Sequence, residues 1–343
     1  MKSKVTMQNI ADELSLSKNS VSQALTGKDG VSEDTRKLII ETAQRMGYVY
    51  SRGKKEESSL PKSGKFALIA SDFAFSMHSF FGQIYLSVER EAKLQGYELL
   101  IQSIGPDSVK ELLMPDFVQN RSVDGMIILS HITTDYINAL LATGIPAVLI
   151  DHHHPQIKAD CILTNNRFGA YEAVRHLIQL GHNKIGYIGD ISISPSYYER
   201  LEGYRLAMHE FGLLVQEEWV HTSAVEDGTF MCSYINGLSE QPTAWFCVND
   251  GLGFFLNASV RKKGLSVPDD VSIVSFDNGY LSRISTPPST TVEVDLKLYA
   301  VKAVERLIER IQCPDQPYTE LLLPTRLIVR ESTVGPRGER DER

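Results

Sequence analysis

The feature that most constrains this chain is a repeated alternation of short apolar runs with amphipathic stretches that end on glycine. From Lys65 onward, FALIA (66–70), ELLIQS (98–103), GMIILS (125–130) and AVLI (147–150) are runs of strand length with little polar interruption. Between them, Phe80–Gln95, Val109–Asn120 and Asp135–Thr143 carry helical periodicity, and Gly96 and Gly144 close the first and third as C-terminal helix signals. Near-continuous apolar strands alternating with helices predict a parallel sheet covered on both faces. The alternation then restarts through Tyr171–Leu180 with Gly181, KIGYIGD (184–190), Tyr198–Phe211 with Gly212, TAWFCVND (243–250), Gly253–Lys263 with Gly264, and SIVSFDN (272–278). Roughly 270 residues of this pattern are too many for one compact sheet and suit two open α/β lobes. Ligands of such sheets bind beyond the carboxyl ends of the strands. The residues at those ends are Asp72, Ser130, Asp151, Asp190, Asn249, Asp250, Asp277 and Asn278. Two facing lobes would converge them on one cleft, suited to a hydroxyl-rich small molecule.

The first fifty residues follow a different rule. In TMQNIADELSLSKNSVSQAL (6–25), Met7, Ile10, Ala11 and Leu14 recur at helical spacing. A polar break at Ser15-Leu16-Ser17 precedes a second short helix, Lys18 to Leu25, with Val21, Ala24 and Leu25 turned inward and Ser17 placed as its N-cap. Two short helices, a tight turn and alanines small enough for close crossing describe a helix-turn-helix. Lys18, Asn19, Ser20, Ser22 and Gln23 lie off the apolar side and have the chemistry that reaches base edges and phosphates. Ser32-Glu33-Asp34-Thr35 opens a third helix, with Leu38, Ile39, Thr42, Ala43 and Met46 as its buried side and Gly47 as its close. Residues 51–65 have the Gly/Ser/Pro-containing polar composition of a linker.

The formal net charge of −8 argues by itself against nucleic acid, but the charge is unevenly placed. Residues 1–65 hold 12 Lys/Arg against 8 Asp/Glu, while the rest hold 23 against 35. A basic head on an acidic body is the asymmetry expected when only the head meets phosphates. Cys161, Cys232, Cys247 and Cys313 show no C-x-x-C spacing, which suits reduced thiols and neither a disulfide frame nor a zinc site. No run approaches the ~18 apolar residues of a membrane span, and the N-terminus lacks a secretory apolar region. The expectation is a cytoplasmic protein with no membrane contact.

His152-His153-His154 invites a metal reading, but three consecutive side chains converge poorly on one ion and no Cys or Glu stands at helical spacing to help. A loop at the cleft mouth, with one His touching ligand, is the favoured alternative. Phosphate loops of the G-x-x-x-x-G-K-[ST] kind and G-x-S-x-G elbows are absent from the sequence. Asp190 with Asp151 and Asp277 could be imagined as a glycosidase pair; hydrogen bonding to sugar hydroxyls without chemistry is preferred because of the attached headpiece. No enzyme, cofactor or metal is expected.

The headpiece run together with VSEDTRKLIIETAQRMGY, and in the body VDGMIIL, GIPAVLID, GAYEAVRHLIQLGHNKIGYIG, RLEGYRLAM, FCVND, GLSVPDDVSIVSFDN, TPPSTTV and LLLPTRLIVREST, resembles the lactose-repressor (LacI/GalR) family of bacterial transcription regulators from about Val5 to Thr333. The resemblance implies an all-α helix-turn-helix headpiece (1–50), a hinge (51–64) and a periplasmic-binding-protein-like core (65–333) of two doubly wound parallel-sheet lobes. The N-lobe would take about 65–163 and 293–321, the C-lobe about 164–292 and 322–333, leaving a charged tail (334–343). That tail lacks leucine heptads, so a homodimer is expected in preference to a tetramer. The implied partners are double-stranded operator DNA and a small-molecule effector, a sugar or sugar derivative.

Carried over by position, Lys18, Asn19 and Gln23 match base-reading positions, with Thr6, Ser17, Ser20 and Ser22 completing the DNA-facing set. Gln23 stands where Arg is common and should favour adenine over guanine. Asp151, Arg200, Asn249 and Asp277 match effector contacts, Phe80 matches an aromatic that stacks beneath the ligand, and Asp72 begins a loop (72–79) longer than the family pattern. The hinge departs most. Where the family drives a Leu into the minor groove, this chain has Glu57, and Arg52, Lys54 and Lys55 are left as non-specific phosphate contacts. Operator kinking is therefore expected to be weak or absent.

Overall fold

In a computed structural model the described residues are 5–26, 30–46, 48, 63–76, 80–129 and 131–337. Contacts divide the chain into two compact units, Met1–Pro61 and Lys62–Arg343. Gly47, Arg52, Lys54, Lys55, Glu57 and Ser130 lie outside the described residues, as do 77–79 and the tail from 338.

The headpiece has three helices, α1 (Met7–Glu13), α2 (Lys18–Thr26) and α3 (Glu33–Arg45). Each start is held locally. Thr6 and Asn9 exchange the reciprocal bonds of a capping box on α1, the Ser20 amide donates to Ser17 Oγ at 3.0 Å, and the Thr35 amide donates to Ser32 Oγ at 3.3 Å. The turn between α1 and α2 places Ser15 in the left-handed region at φ 52°. Ile10, Ala11, Val21, Ala24, Ile39 and Ala43 form the core. Leu38 does not join them and is half exposed, because the buried stripe of α3 runs through Ile39, Thr42, Ala43 and Met46 and Leu38 falls about 100° away from it. Arg36 Nη1 donates to the Ala24 carbonyl at 3.1 Å, tying α3 to the end of α2.

The larger unit runs β1 (Lys65–Ser71), α4 (Asp72–Ser76), α5 (Phe81–Leu94), β2 (Glu98–Ile104), α6 (Pro106–Glu111), α7 (Asp116–Gln119), β3 (Gly125–Leu129), α8 (Thr134–Leu141), β4 (Ala147–Ile150) and β5 (Asp160–Thr164). It continues with α9 (Asn166–Gln179), β6 (Ile185–Ile188), α10 (Pro195–Glu210), β7 (Val220–His221), α11 (Gly228–Gly237), β8 (Ala244–Cys247), α12 (Asp250–Lys262), β9 (Ser272–Asp277), α13 (Tyr280–Ile284) and β10 (Thr290–Val294). It ends in α14 (Leu296–Gln312), β11 (Glu320–Leu323) and β12 (Thr325–Ile328). The first sheet has the order β11-β5-β4-β3-β1-β2, the second β12-β10-β9-β8-β6-β7. Among the described strands every pairing is parallel except β12 on β10, so the expected parallel-sheet lobes are present, with one antiparallel edge strand added to the second. The continuous burial of β3, β4, β5, β6 and β8 reflects helices on both faces, which is why these strands read as unbroken apolar runs.

The expected helix over 109–120 is broken. Leu112 takes φ 53° and ends α6, and Pro115, which has no amide hydrogen and excludes the helical region for Met114, caps α7 instead. The segment after Asp72, read as a loop, begins as α4. The chain passes between sheets at 164–166, 294–296 and 323–325, and the Asn165 amide donates to the Leu323 carbonyl at 2.9 Å, binding two passages together. Two close contacts fix the layers. Fully buried Asp160 accepts from Arg310 Nε at 2.7 Å and Arg306 Nε at 2.8 Å, anchoring α14 to β5. At Gly203 a Cβ would stand 2.1 Å from the Arg167 carbonyl oxygen, so only glycine lets α10 lie this close to α9.

Candidate functional site

On α2, Lys18 and Asn19 are exposed in the first turn and Ser20, Ser22 and Gln23 are half-buried along the same short helix. Ser17 caps the helix and Thr6 caps α1, so these two hydroxyls hold the ends of the helices that carry the polar face. Gln23 lies against Gly30, where a Cβ would stand 3.1 Å from Gln23 Oε1. The result is a short, capped helix that presents amide and ammonium groups on a helix-turn-helix frame, the arrangement that fits a major groove.

The second site lies where the carboxyl ends of both sheets meet. Arg200 of α10 is 2% exposed and is held by hydrogen bonds from Nε and Nη1. Its Nη1 donates to the Val248 carbonyl at 2.7 Å and to Asp277 Oδ1 at 3.0 Å, and its Nε donates to Asn166 Oδ1 at 2.9 Å. The guanidinium lies 3.7 Å from the centroid of Phe276, a cation–π contact. Asn249 caps α12 with its oxygen and donates through Nδ2 to Tyr197 OH at 2.8 Å and Glu226 Oε1 at 2.7 Å. Glu226 reaches this point only because residue 251 is glycine; a Cβ there would meet its carboxylate at 2.2 Å. Asn166 Nδ2 donates to Glu199 Oε2 at 3.0 Å. Asp151 and Asp277 hold positive φ, 55° and 104°, so backbone strain collects at the strand ends that carry these carboxylates.

Burial pushes the Asp151 carboxyl up to about 7 against the pull of Arg200, and burial likewise raises Asp277. Two other strand-end residues are structural pins. Asp250 accepts from Ser275, Thr291 and the Gly279 amide, and Asn278 donates to Glu293 at 2.8 Å and accepts from Arg330 at 2.5 Å. Asp190 folds its own loop by accepting from the Ser192 amide at 2.9 Å.

Beside this polar floor lies a cavity of about 770 Å³ between the lobes. Phe73, Ile104, Val109 and Ile132 line it from the first lobe and Ile191, Ile193, Pro195 and Tyr198 from the second, with Asp72, Lys110, His131, His152 and Ser192 as polar members. The three consecutive histidines diverge. His152 is buried, lines the cavity, and has neither ring nitrogen paired among the described residues. His153 Nε2 lies 2.7 Å from Glu199 Oε1 across the cleft, and this bond raises its pKa. His154 Nδ1 accepts from the Gln156 amide at 3.2 Å. Burial holds both His131 and His152 down at about 4, so each is neutral at physiological pH. An unpaired buried polar group costs about 1–3 kcal/mol, and each such group asks what satisfies it.

Residues 174–333 match the model of a periplasmic binding protein-like domain. The chain is 31% identical over 317 residues to the HTH-type transcriptional repressor PurR of Actinobacillus pleuropneumoniae serotype 3 (strain JL03), covering 91% of this chain and 93% of that one. It is 28% identical to the ribose operon repressor of Haemophilus influenzae, covering 95% and 98%. Among solved structures, the transcriptional regulator CelR in complex with cellobiose superposes with a TM-score of 0.72 at 25% identity, covering 96% of this chain and 99% of that one. The chain belongs to the LacI/GalR family of transcription regulators.

Within this LacI/GalR chain the structure brings Asp151, Arg200, Asn249 and Asp277 into one buried cluster at the cleft floor. Asp72 stands apart on the cavity wall, where its carboxylate accepts from Ser103 Oγ. Phe80 lies at the start of α5 in the apolar core, edge-on to Phe81 with ring centroids 5.0 Å apart. Sequence reasoning did not single out Asn166, Tyr197, Glu199, Glu226, Phe73 or His131. Glu199 adjoins Arg200 on α10, but nothing in a linear reading marks Glu226, which acts through a fold-dependent approach to Asn249. The family is one of regulators rather than enzymes.

Proposed function

We propose that this chain is a cytoplasmic repressor that acts as a homodimer on a pseudo-palindromic operator and is controlled by a small ligand, a sugar or sugar derivative, bound between its lobes. The observation that carries the reading is the presence, on one chain, of a capped helix with exposed Lys18 and Asn19 and of a cleft whose floor gathers Asp151, Arg200, Asn249 and Asp277. Residues 1–50 form the DNA-reading unit and 65–333 the effector core in this reading, with 51–64 as the hinge between them. Lys18, Asn19 and Gln23 read base edges; Thr6, Ser17, Ser20 and Ser22 place the helix; Arg52, Lys54 and Lys55 add phosphate contacts. Sugar hydroxyls donate to the carboxylates and accept from Arg200 and Asn249, pairings strengthened by charge. Asp72 borders the adjoining cavity, while Phe80 supports the site only from the apolar core beneath α5. The sugar complex of CelR supports this assignment of ligand class. Binding that favours one lobe arrangement would couple to operator affinity by ~1–3 kcal/mol.

The test is a gel shift on a sequence selected from random DNA, repeated from 50 to 200 mM salt with and without a panel of mono- and disaccharides. A regulator binds one site, loses affinity steeply with salt, and responds to one panel member. Failure to select any site would overturn the reading.

A further inference from the structure

The cavity beside the cleft floor receives a half-exposed aromatic ring from each lobe. Phe73 of α4 borders it from the first lobe and Tyr198 of α10 from the second, and these residues are 47% and 49% exposed. Their chain neighbours Ala74 and Tyr197 are buried, so at both places the backbone turns one side chain inward and the aromatic ring out. Phe73 is braced from behind: its ring centroid lies 5.0 Å from that of His131, which in turn meets the core residue Phe81 edge-on at 5.3 Å. It belongs to the 72–79 segment that exceeds the family pattern, and it borders the cavity where Phe80, packed in the core, does not. Cavity and floor adjoin through the chain. His152 on the cavity wall follows Asp151, Tyr198 stands two positions before Arg200, and Ser196 between Pro195 and Tyr198 donates to the Asp151 carboxylate. At about 770 Å³ the cavity lies toward the upper end of the ~300–1,000 Å³ that holds drug-sized ligands.

We propose that the effector is a glycoside of at least two rings, the first on the polar floor and the second packed against Phe73 and Tyr198. The proposal rests on the reading of the core as a sugar-binding site and narrows its ligand class. A pyranose turns C–H groups of slight positive charge toward the negative face of an aromatic ring, and an aryl group stacks on the same face with an offset. Covering the exposed parts of both side chains removes apolar surface from water and adds to the attraction. Asp72, Lys110, Thr133 and Ser192 border the same space and suit the hydroxyls of a second sugar ring. A monosaccharide on the floor reaches none of these contacts. Because the two aromatics come from different lobes, a ligand that touches both favours the lobe arrangement that holds them together, so the second ring strengthens the allosteric signal as well as the affinity.

The test is titration calorimetry of the full-length protein with methyl glucoside, galactoside and mannoside in both anomers, each beside its 4-nitrophenyl counterpart and a matching 1,4-linked disaccharide. At least one two-ring ligand should bind about tenfold more tightly than its methyl glycoside. The disaccharide and nitrophenyl arms tell whether the second ring is a sugar or an aryl group. Phe73→Ala and Tyr198→Ala should each remove most of that advantage, read as the ratio of the two affinities. Tyr198→Phe keeps the ring face, loses only the hydroxyl, and should restore the ratio. Circular dichroism and the operator gel shift on each variant separate loss of the site from loss of the fold. Equal binding of one-ring and two-ring ligands, or no binding by any of them, would overturn the ligand class. So would an advantage that survives both alanine substitutions in folded protein, or a Tyr198→Phe variant that fails as Tyr198→Ala does. Operator binding that persists in the unaltered protein in those cases leaves the regulator reading standing, whereas its loss removes that reading as well.

Discussion

On α2 the side chains proposed to read DNA stand at or near the surface and lean on their own turn for support. In the core, the side chains at the cleft floor are buried and lean on elements far away in sequence. Ser17 caps α2 by a bond to a residue three positions on, whereas Arg200 depends on partners 34, 48 and 77 positions away. The difference has an energetic consequence. A surface reader can be replaced at little structural cost, while a buried charged hub cannot lose one member without stranding the others. Specificity and stability should therefore separate in the headpiece and travel together in the core.

Arg200→Ala is the strongest attempt to break that contrast. It strands Asp277, Asn166 and the Val248 carbonyl in a buried site and should cost about 3–5 kcal/mol in urea denaturation of the full chain. A loss below about 1 kcal/mol would show that the floor is not a structural hub and that the contrast is wrong.

Asp151→Asn should move stability the other way. The folded carboxyl titrates at about 7 against an ordinary 3.8, so the folded state holds a proton over that window which the unfolded state has released. Stability from this group is thus present at low pH and falls as pH rises from about 4 through 7. The amide cannot ionise, and the variant should exceed the parent by on the order of 4 kcal/mol at pH 8, the gain fading toward pH 4. Urea midpoints across that range check it; a gain that stays constant with pH would mean burial of Asp151 carries no charge penalty.

In the headpiece, Gln23→Ala should relax discrimination at one base pair by ~1–3 kcal/mol in a competition gel shift, with the urea midpoint of the core unmoved. Unchanged discrimination would place the reading elsewhere. The smallest effect is expected from Ser17→Ala, which removes the cap of α2 and should lower headpiece stability by about 1 kcal/mol. Base preference should be kept while overall affinity drops modestly. A change of preferred base would mean that Ser17 reads sequence directly.

Much of this was legible in the linear chain where the physics is local. The capped helices of the headpiece and the Gly-ended helices of the core follow from spacing and caps, which act within a few residues. The βα alternation and the presence of two lobes follow from runs of apolar residues that no other architecture of this length buries. The break at Leu112–Pro115 was also present in the sequence, through Pro115, and was overridden by an apparent helical period. Leu38 was misplaced because periodicity alone tolerates an error of one position.

What only the tertiary structure decided is how the strand-end residues divide their work. From the chain, Asp250 and Asn278 look as fit for a ligand as Asp277, and only the fold shows them satisfied by Ser275, Thr291, Glu293 and Arg330. The same holds for Glu226 against Asn249, and for the three consecutive histidines, of which one is left unpaired at the cavity wall. The sequence determined which elements form and which polar residues stand at their ends, because caps, periods and strand burial are properties of neighbours in the chain. Whether a given polar group is spent within the protein or left for a ligand depends on groups brought together from distant positions, and that is set by packing alone.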